Sequence, residues 1–288
     1  MIILVFQYTK SYAYFRVVNM DFNNKNIQQQ YEGFLDTSLL WNTNFYGLQQ
    51  IQLTAISSHI FDGQLTKNTR LGKRVESFVS CYLQQFDNIT VLHENIQIQQ
   101  NNITVGELDC ILLQDDTPIH LEIVFKFYLY DKTVGATELE HWIGPNRNDS
   151  LHQKIEKLST KQLPLLFKSE TKKYIDLEIE SIQQKVLFKA QLFVPYSNQN
   201  VTFEQLNTDC IAGFYINQEE LQQFTSAKFY IPTKLSWLVQ PHSNVAWLSY
   251  NDFKNEVNSL LKTKKSPLCW MKQPNGEVFK FFLVWWHV

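Results

Sequence analysis

Four side chains near the middle of this 288-residue sequence have the types that metal-assisted chemistry on a phosphodiester needs: Glu76, Asp109, Glu122 and Lys126. Glu122 and Lys126 fall within His120-Leu121-Glu122-Ile123-Val124-Phe125-Lys126-Phe127-Tyr128, a β-branched and aromatic run that predicts a strand. Side chains alternate along a strand, so His120, Glu122, Val124 and Lys126 share one face and Leu121, Ile123, Phe125 and Phe127 the other. The second face is wholly apolar and belongs in a core. Polar groups on the first are costly to bury unpaired, so they must reach solvent or bind something. Asp109 stands in the apolar run before it, within Gly106-Glu107-Leu108-Asp109, on a strand expected beside that of Glu122. Two strand-borne carboxylates suit Mg2+ or Mn2+, hard ions that take carboxylates together with waters and a phosphate oxygen. Such an ion activates water and offsets charge on the phosphate, while a nearby lysine stabilises the negative charge that develops. Asp109 and Glu122 are the candidate metal ligands, Lys126 is the candidate catalytic cation, and Glu76, on a preceding helix, is a further catalytic residue and ligand, direct or through water. The plainer alternatives are half-exposed acids paired with lysines, a Lys126 that is merely the partner of Glu122, and a solvated Glu76.

Other residues are drawn in by position. Glu107 has the parity of Asp109 and is either a supporting acid or half of an edge salt bridge. His120 is on the face of Glu122, or at a surface strand start. Gln162 falls in an apolar helical stripe, where a polar side chain needs a partner, unless it lies at a frayed helix end before Pro164. Lys154, Lys157 and Lys161 form a basic stripe able to follow a phosphate backbone, or a solvated face. Asp149 is expected as an N-terminal cap or first-turn acid.

The elements that must place these residues are legible in part. From Thr66 to Phe86 the apolar residues Leu71, Val75, Phe78, Val79, Tyr82 and Phe86 keep to one side of a helix. Three strands are expected next, at Ile89–Ile98, Ile103–Leu113 and Ile119–Tyr130, joined by turns at Gln99–Asn102 and Gln114–Pro118. A long loop then ends in Trp142-Ile143-Gly144-Pro145-Asn146. A helix from Asp149 to Gln162 carries Leu151, Ile155 and Leu158 in one stripe and is stopped by Pro164, and residues 185–195 read as a strand. Helical spacing is also visible over 26–40. Beyond 196 the expected pieces are strands at Ile211–Ile216, Trp237–Val239 and Val278–Trp286 and a helix at Tyr250–Leu261.

Taken together, this order resembles the PD-(D/E)XK nuclease superfamily. More closely, the sequence is similar to an uncharacterised bacterial domain-of-unknown-function family related to it, through Gly106-Glu107-Leu108-Asp109, through His120-Leu121-Glu122 leading to Lys126-Phe127-Tyr128-Leu129, and through Trp142-Ile143-Gly144-Pro145-Asn146 followed by Asp149, Leu151 and Lys154. The resemblance runs from about Tyr31 to the C-terminus and implies an α/β (α+β) fold. Its core would be a restriction-endonuclease-like αβββαβ unit with a mixed sheet over 66–195, preceded by a helical segment at 20–65 and followed by a C-terminal α/β extension, 196–288, packed on it. Residues 1–19 read as an extension before the expected initiator, Met20. The implied activity is Mg2+- or Mn2+-dependent cleavage of nucleic acid, DNA ahead of RNA, with Lys154 among the family residues. There is one departure: the superfamily places its lysine two residues after the acid, where Val124 stands here, and Lys126 lies one pleat further, about 7 Å along the strand. A catalytically silent protein of this fold that binds nucleic acid or a protein partner is the alternative.

Composition bounds these readings. With 44% apolar and 14% aromatic residues the chain can bury a sizeable core, so disorder is excluded. A net charge of −2 excludes a protein whose whole surface attracts phosphate, so any nucleic-acid contact must be local. Cys81, Cys110, Cys210 and Cys269 stand far apart, which argues against a zinc site or a disulfide framework and for a reducing cytoplasm. No membrane span is expected, and four Asn-x-Ser/Thr sequons, at Asn88, Asn102, Asn148 and Asn200, carry little meaning in so amide-rich a chain.

Overall fold

Both faces of the strand that carries Glu122 are buried, and the architecture follows from that. In the computed structural model, which describes residues 22–53, 58–65, 70–199, 201 and 203–287, this strand is β5, Thr117–Tyr130. The expected extension at 1–19, Met20 and the expected helix start at Thr66 lie outside the described residues. On one face Leu121, Phe127 and Leu129 pack beneath helices α1 (Phe22–Leu35) and α2 (Leu71–Leu83) through Tyr31, Phe34, Val75 and Phe78. On the other, Val124 and Tyr128 pack beneath helix α3 (Leu151–Lys157) and its continuation through Leu151, Ile155 and Leu158. The result is a mixed α/β fold of helices on both sides of a sheet.

A hairpin, β1 (Asn44–Phe45) and β2 (Leu48–Gln49), turns on Tyr46 and Gly47, both at positive φ. Strands β3 (Ile89–Gln100), β4 (Ile103–Gln114) and β5 form an antiparallel meander. Its two tight turns put Asn101–Asn102 and Asp115–Asp116 at positive φ, which Asn and Asp tolerate best among residues with side chains. Pro118 belongs to β5 rather than to the turn, opposite Leu113. Short β6 (Trp142–Ile143) pairs with the end of β5, and β7 (Gln183–Pro195) lies parallel to β5 from Ile119↔Gln183 to Leu129↔Phe193. Residues past 196 continue the same sheet with β8 (Ile211–Ile216), β9 (Lys228–Tyr230), β10 (Leu268–Lys272) and β11 (Val278–Leu283), while α4 (Tyr250–Lys262) covers one face. Among the described residues nine strands thus share one sheet, in the order β3-β4-β5-β7-β8-β11-β10-β9 with β6 attached to β5.

Several expectations are corrected. The helix expected over 26–40 ends at Leu35, because the buried Lys189 ammonium of β7 takes the carbonyls of Phe34, Leu35 and Thr37; Leu39 and Leu40 then join the backbone of β7. The described residues of the segment 20–65 are therefore part helix, part hairpin and extended chain. Trp237–Val239 is not a strand: Lys234–Leu238 form a 3-10 turn whose Leu238 carbonyl leaves no room for a Cβ on Gly33 of α1. The last strand stops at Leu283, short of Trp286. The helix expected to run from Asp149 to Gln162 is α-helical only over Leu151–Lys157. It passes into a π turn, Leu158–Gln162, and a 3-10 turn, Leu163–Phe167, that accepts Pro164 near its start instead of being ended by it.

Candidate functional site

The sheet forks where the two acids stand. Pairing between β4 and β5 runs from Gln114↔Thr117 to Cys110↔Leu121, after which β4 remains paired with β3 and β5 with β7. The next step of the ladder would set Asp109 opposite Glu122 on one face, the face covered by α3 and its π turn. The Ile123 N–H, released from the ladder, donates instead to Asp109 Oδ2 at 2.9 Å. Burial first, and the Glu122 charge second, push the Asp109 carboxyl up to about 7, against the pull of the Ile123 N–H. Like charges so placed oppose one another, and a shared proton or a cation relieves them.

Glu122 is fully buried and both its oxygens accept hydrogen bonds. His120 Nε2 lies 3.1 Å from Oε1, and Gln162 Nε2 donates to Oε2 at 2.5 Å. His120 is as deeply buried as Glu122, not at the surface. Gln162 reaches the acid because of the π turn. As a straight α-helix it would extend the Leu151–Ile155–Leu158 stripe; the extra residue absorbed over Leu158–Gln162 turns it back by about 100°, onto the side of Lys154. Lys154 Nζ then donates to Gln162 Oε1 at 2.7 Å.

The three lysines of the stripe therefore part company. Lys154 is half-buried, and burial brings its ammonium down to about 8, opposed by the charges of Glu122 and Asp109. Lys157 and Lys161 stay exposed. Lys126, expected as the catalytic cation, is turned to Asp149, with Nζ 2.7 Å from Oδ2. Asp149 is not the helix cap: Ser150 is, its side chain accepting from the Gln153 N–H at 3.2 Å. The Asp149 carbonyl accepts from Gly144 N at 2.7 Å, and a Cβ on Gly144 would come within 1.9 Å of Asp149 Oδ1, so the Gly144-Pro145-Asn146 motif serves to hold the partner of Lys126.

Glu76 is near enough for its charge to add to the rise of the Asp109 carboxyl, but it does not complete a three-ligand group with the acid pair. Lys73, one turn earlier in α2, holds it at 2.8 Å and also donates to Glu107 and Asn95. Glu107 is accordingly half of an edge salt bridge. Burial raises the Glu76 carboxyl, and Lys73 lowers it. Among the described residues no group of three or more His, Cys, Asp and Glu side chains is placed to hold a metal ion, and the carboxylates that stand together are the pair Asp109 and Glu122. Two carboxylates are the ligand type a hard divalent cation takes, and Asp109 Oδ1 accepts no hydrogen bond among the described residues. One participant escaped the sequence reading. Gln184 of β7 donates to the Leu163 carbonyl at 2.6 Å and sits 3.2 Å from His120 Nδ1. Its signal was that of Gln162, a polar residue in register with the apolar Val186 and Phe188.

Residues 48–283 match the family described as Domain of unknown function (DUF1853), and the chain belongs to that family. No curated protein and no solved structure matches it.

Proposed function

We propose that the protein is a metal-dependent phosphodiesterase of the PD-(D/E)XK nuclease kind, acting on nucleic acid, DNA ahead of RNA, with Asp109 and Glu122 as its cation ligands. The observation that carries this reading is the raised Asp109 carboxyl beside the buried Glu122 at the fork of β4 and β5, a concentration of negative charge that a dication satisfies. A bound Mg2+ or Mn2+ would supply activated water and neutralise charge on the scissile phosphate. Lys154 takes the role expected of Lys126: it is the ammonium that feels both acids, and its value near 8 lets it stabilise charge or pass a proton close to neutral pH. Gln162 ties that ammonium to Glu122, and the exposed Lys157 and Lys161 offer phosphate contacts beside the site. The superfamily core would correspond to α2, β3 to β5, α3 and β7. A reducing compartment such as the cytoplasm suits four buried, unpaired cysteines, and among the described residues no helix is long and apolar enough to cross a membrane.

The Lys126–Asp149 and Lys73–Glu76 pairs favour a second reading, a silent protein of this fold that binds nucleic acid or a protein partner without cutting. Incubating the protein with single- and double-stranded DNA and RNA plus Mg2+ or Mn2+, beside Glu122→Ala, separates the two. Cleavage by the wild type alone supports the enzyme. No divalent-cation binding by calorimetry and no cleavage in any combination overturns it.

A further inference from the structure

We propose that Gln184 is a positioning residue of the Glu122 site: it fixes which nitrogen of His120 carries the proton, and His120 thereby holds the Glu122 carboxylate in one orientation. This rests on the reading of Asp109 and Glu122 as cation ligands. The contact is built by the sheet, since His120 and Gln184 face one another in the parallel register of β5 and β7. Two one-way groups then set every hydrogen bond in the network. The Leu163 carbonyl can only accept, so the NH2 end of Gln184 must face it, and the same nitrogen, 3.2 Å from His120 Nδ1, directs its second N–H there. Nδ1 must therefore accept, which leaves the proton on Nε2, 3.1 Å from Glu122 Oε1. At the other end the Lys154 ammonium can only donate, so Gln162 turns its oxygen to Lys154 and its NH2 to Glu122 Oε2.

The consequence is a carboxylate pinned by a donor at each oxygen, each oxygen keeping a further lone pair for a cation. An Nε2–H imidazole adds no positive charge beside Glu122 that would compete with a dication. Were the proton on Nδ1, it would face an N–H of Gln184, and a bare Nε2 would face the carboxylate; neither contact would be a hydrogen bond. Partners that orient a metal ligand in this way are worth about ten- to a hundredfold in metal affinity.

The full chain, labelled with 15N-histidine and assigned by the signals lost in His120→Gln, tests this through the nitrogen shifts of His120. In the wild type without added metal, Nε2 should carry the proton and Nδ1 none. Gln184→Glu, whose carboxylate accepts where the amide donated, should put a proton on Nδ1. Gln184→Met should leave a mixture of tautomers and lower the Mg2+ or Mn2+ affinity, read by calorimetry, at least tenfold with the circular dichroism unchanged. A proton on Nδ1 in the wild type, or His120 shifts indifferent to both variants, overturns the proposal; the wild-type shifts decide even where a variant does not fold. A wild type with the expected shifts that binds neither Mg2+ nor Mn2+ overturns the cation site and leaves the role of Gln184 toward His120 standing.

Discussion

Lys154 and Gln162 are eight positions apart and share one side of their helix, Nζ to Oε1 at 2.7 Å. Eight α-helical residues would leave them about 80° apart, whereas the π turn between them reduces the offset to about 20°. That one irregular turn joins a lysine of α3 to a carboxylate of β5. It also explains how the site has a cation although the strand places Val124, not a lysine, two residues after Glu122. Single-turn π segments inside α-helices are frequent at functional sites, and here the turn re-aims Gln162.

Lys154, rather than Lys126, should therefore govern activity. Lys154→Met is expected to lower kcat of Mg2+- or Mn2+-dependent cleavage by two or more orders of magnitude, the scale of losing one stabilising group at developing charge. Lys126→Met breaks only a solvent-accessible pair with Asp149, worth about 1 kcal/mol or less, and should change kcat severalfold at most. Single-turnover rates of the two variants on the same substrate decide the matter, and a loss larger in Lys126→Met than in Lys154→Met would return the catalytic role to Lys126.

Asp109 should trade stability for binding. Its carboxyl is raised from an ordinary value near 4 to about 7, so the folded chain holds this proton more tightly than the unfolded one. The stability it contributes is thus present at pH 4 and lost as pH rises through about 7, a difference of a few kcal/mol at most. Asp109→Asn keeps an acceptor for the Ile123 N–H and removes the charge. Without added metal, this variant should melt several degrees above the wild type at pH 8, with the gap closing toward pH 4, and should bind no divalent cation. A variant less stable than the wild type at pH 8 would contradict the crowding of the two acids.

How far all this could be read from the sequence depended on how far each feature was local. The alternation in β5 separated His120, Glu122 and Lys126 from the apolar face, and amphipathic α4 was visible to within one residue. Strand β10 had no alternation to show because Leu268 to Met271 are buried on both faces. The diversion of Glu76 by Lys73 was a visible spacing of three, and Ser150 with Gln153 was a visible capping pattern, each passed over for a neighbour with a more chemical side chain. That Lys154, and not Lys126, is tied to the Glu122 network could not have been seen. It depends on a π turn, and on a loop that holds Asp149 to Lys126, both of which are tertiary outcomes.

Lys157 and Lys161 make a quantitative test of the nucleic-acid reading. Each exposed ammonium that contacts a phosphate of duplex DNA adds about 0.9 to the slope of log affinity against log salt. Lys157→Ala and Lys161→Ala should each lower that slope by about 1 while weakening all sequences alike. Fluorescence anisotropy with a labelled duplex at several salt concentrations measures it. Unchanged slopes in both variants would remove these lysines from the interface.

Far from the acids, Lys280 of β11 makes a prediction about the fold itself. It is 3% exposed, and its ammonium donates to Gln191 Oε1 at 3.0 Å and the Trp237 carbonyl at 3.1 Å, with no ion pair to a carboxylate among the described residues. Burial brings it down to about 7, whereas an unfolded lysine titrates near 10.4. Between these values the unfolded chain binds more protons than the folded one, so stability must rise with pH from about 7 to about 10, by roughly 4 kcal/mol from this group. Lys189, brought down to about 8 by burial, adds a slope of the same sign. In urea melts at pH 7, 8.5 and 10 the wild type should therefore gain on Lys280→Met as pH rises, by up to about 4 kcal/mol; taking the difference cancels the opposite slope of the buried cysteine thiols, which burial raises. At pH 7 the variant itself should differ little in stability, because losing the charge offsets leaving two buried acceptors unpaired. A wild-type advantage over Lys280→Met that does not grow with pH would mean that Lys280 keeps its charge inside the fold.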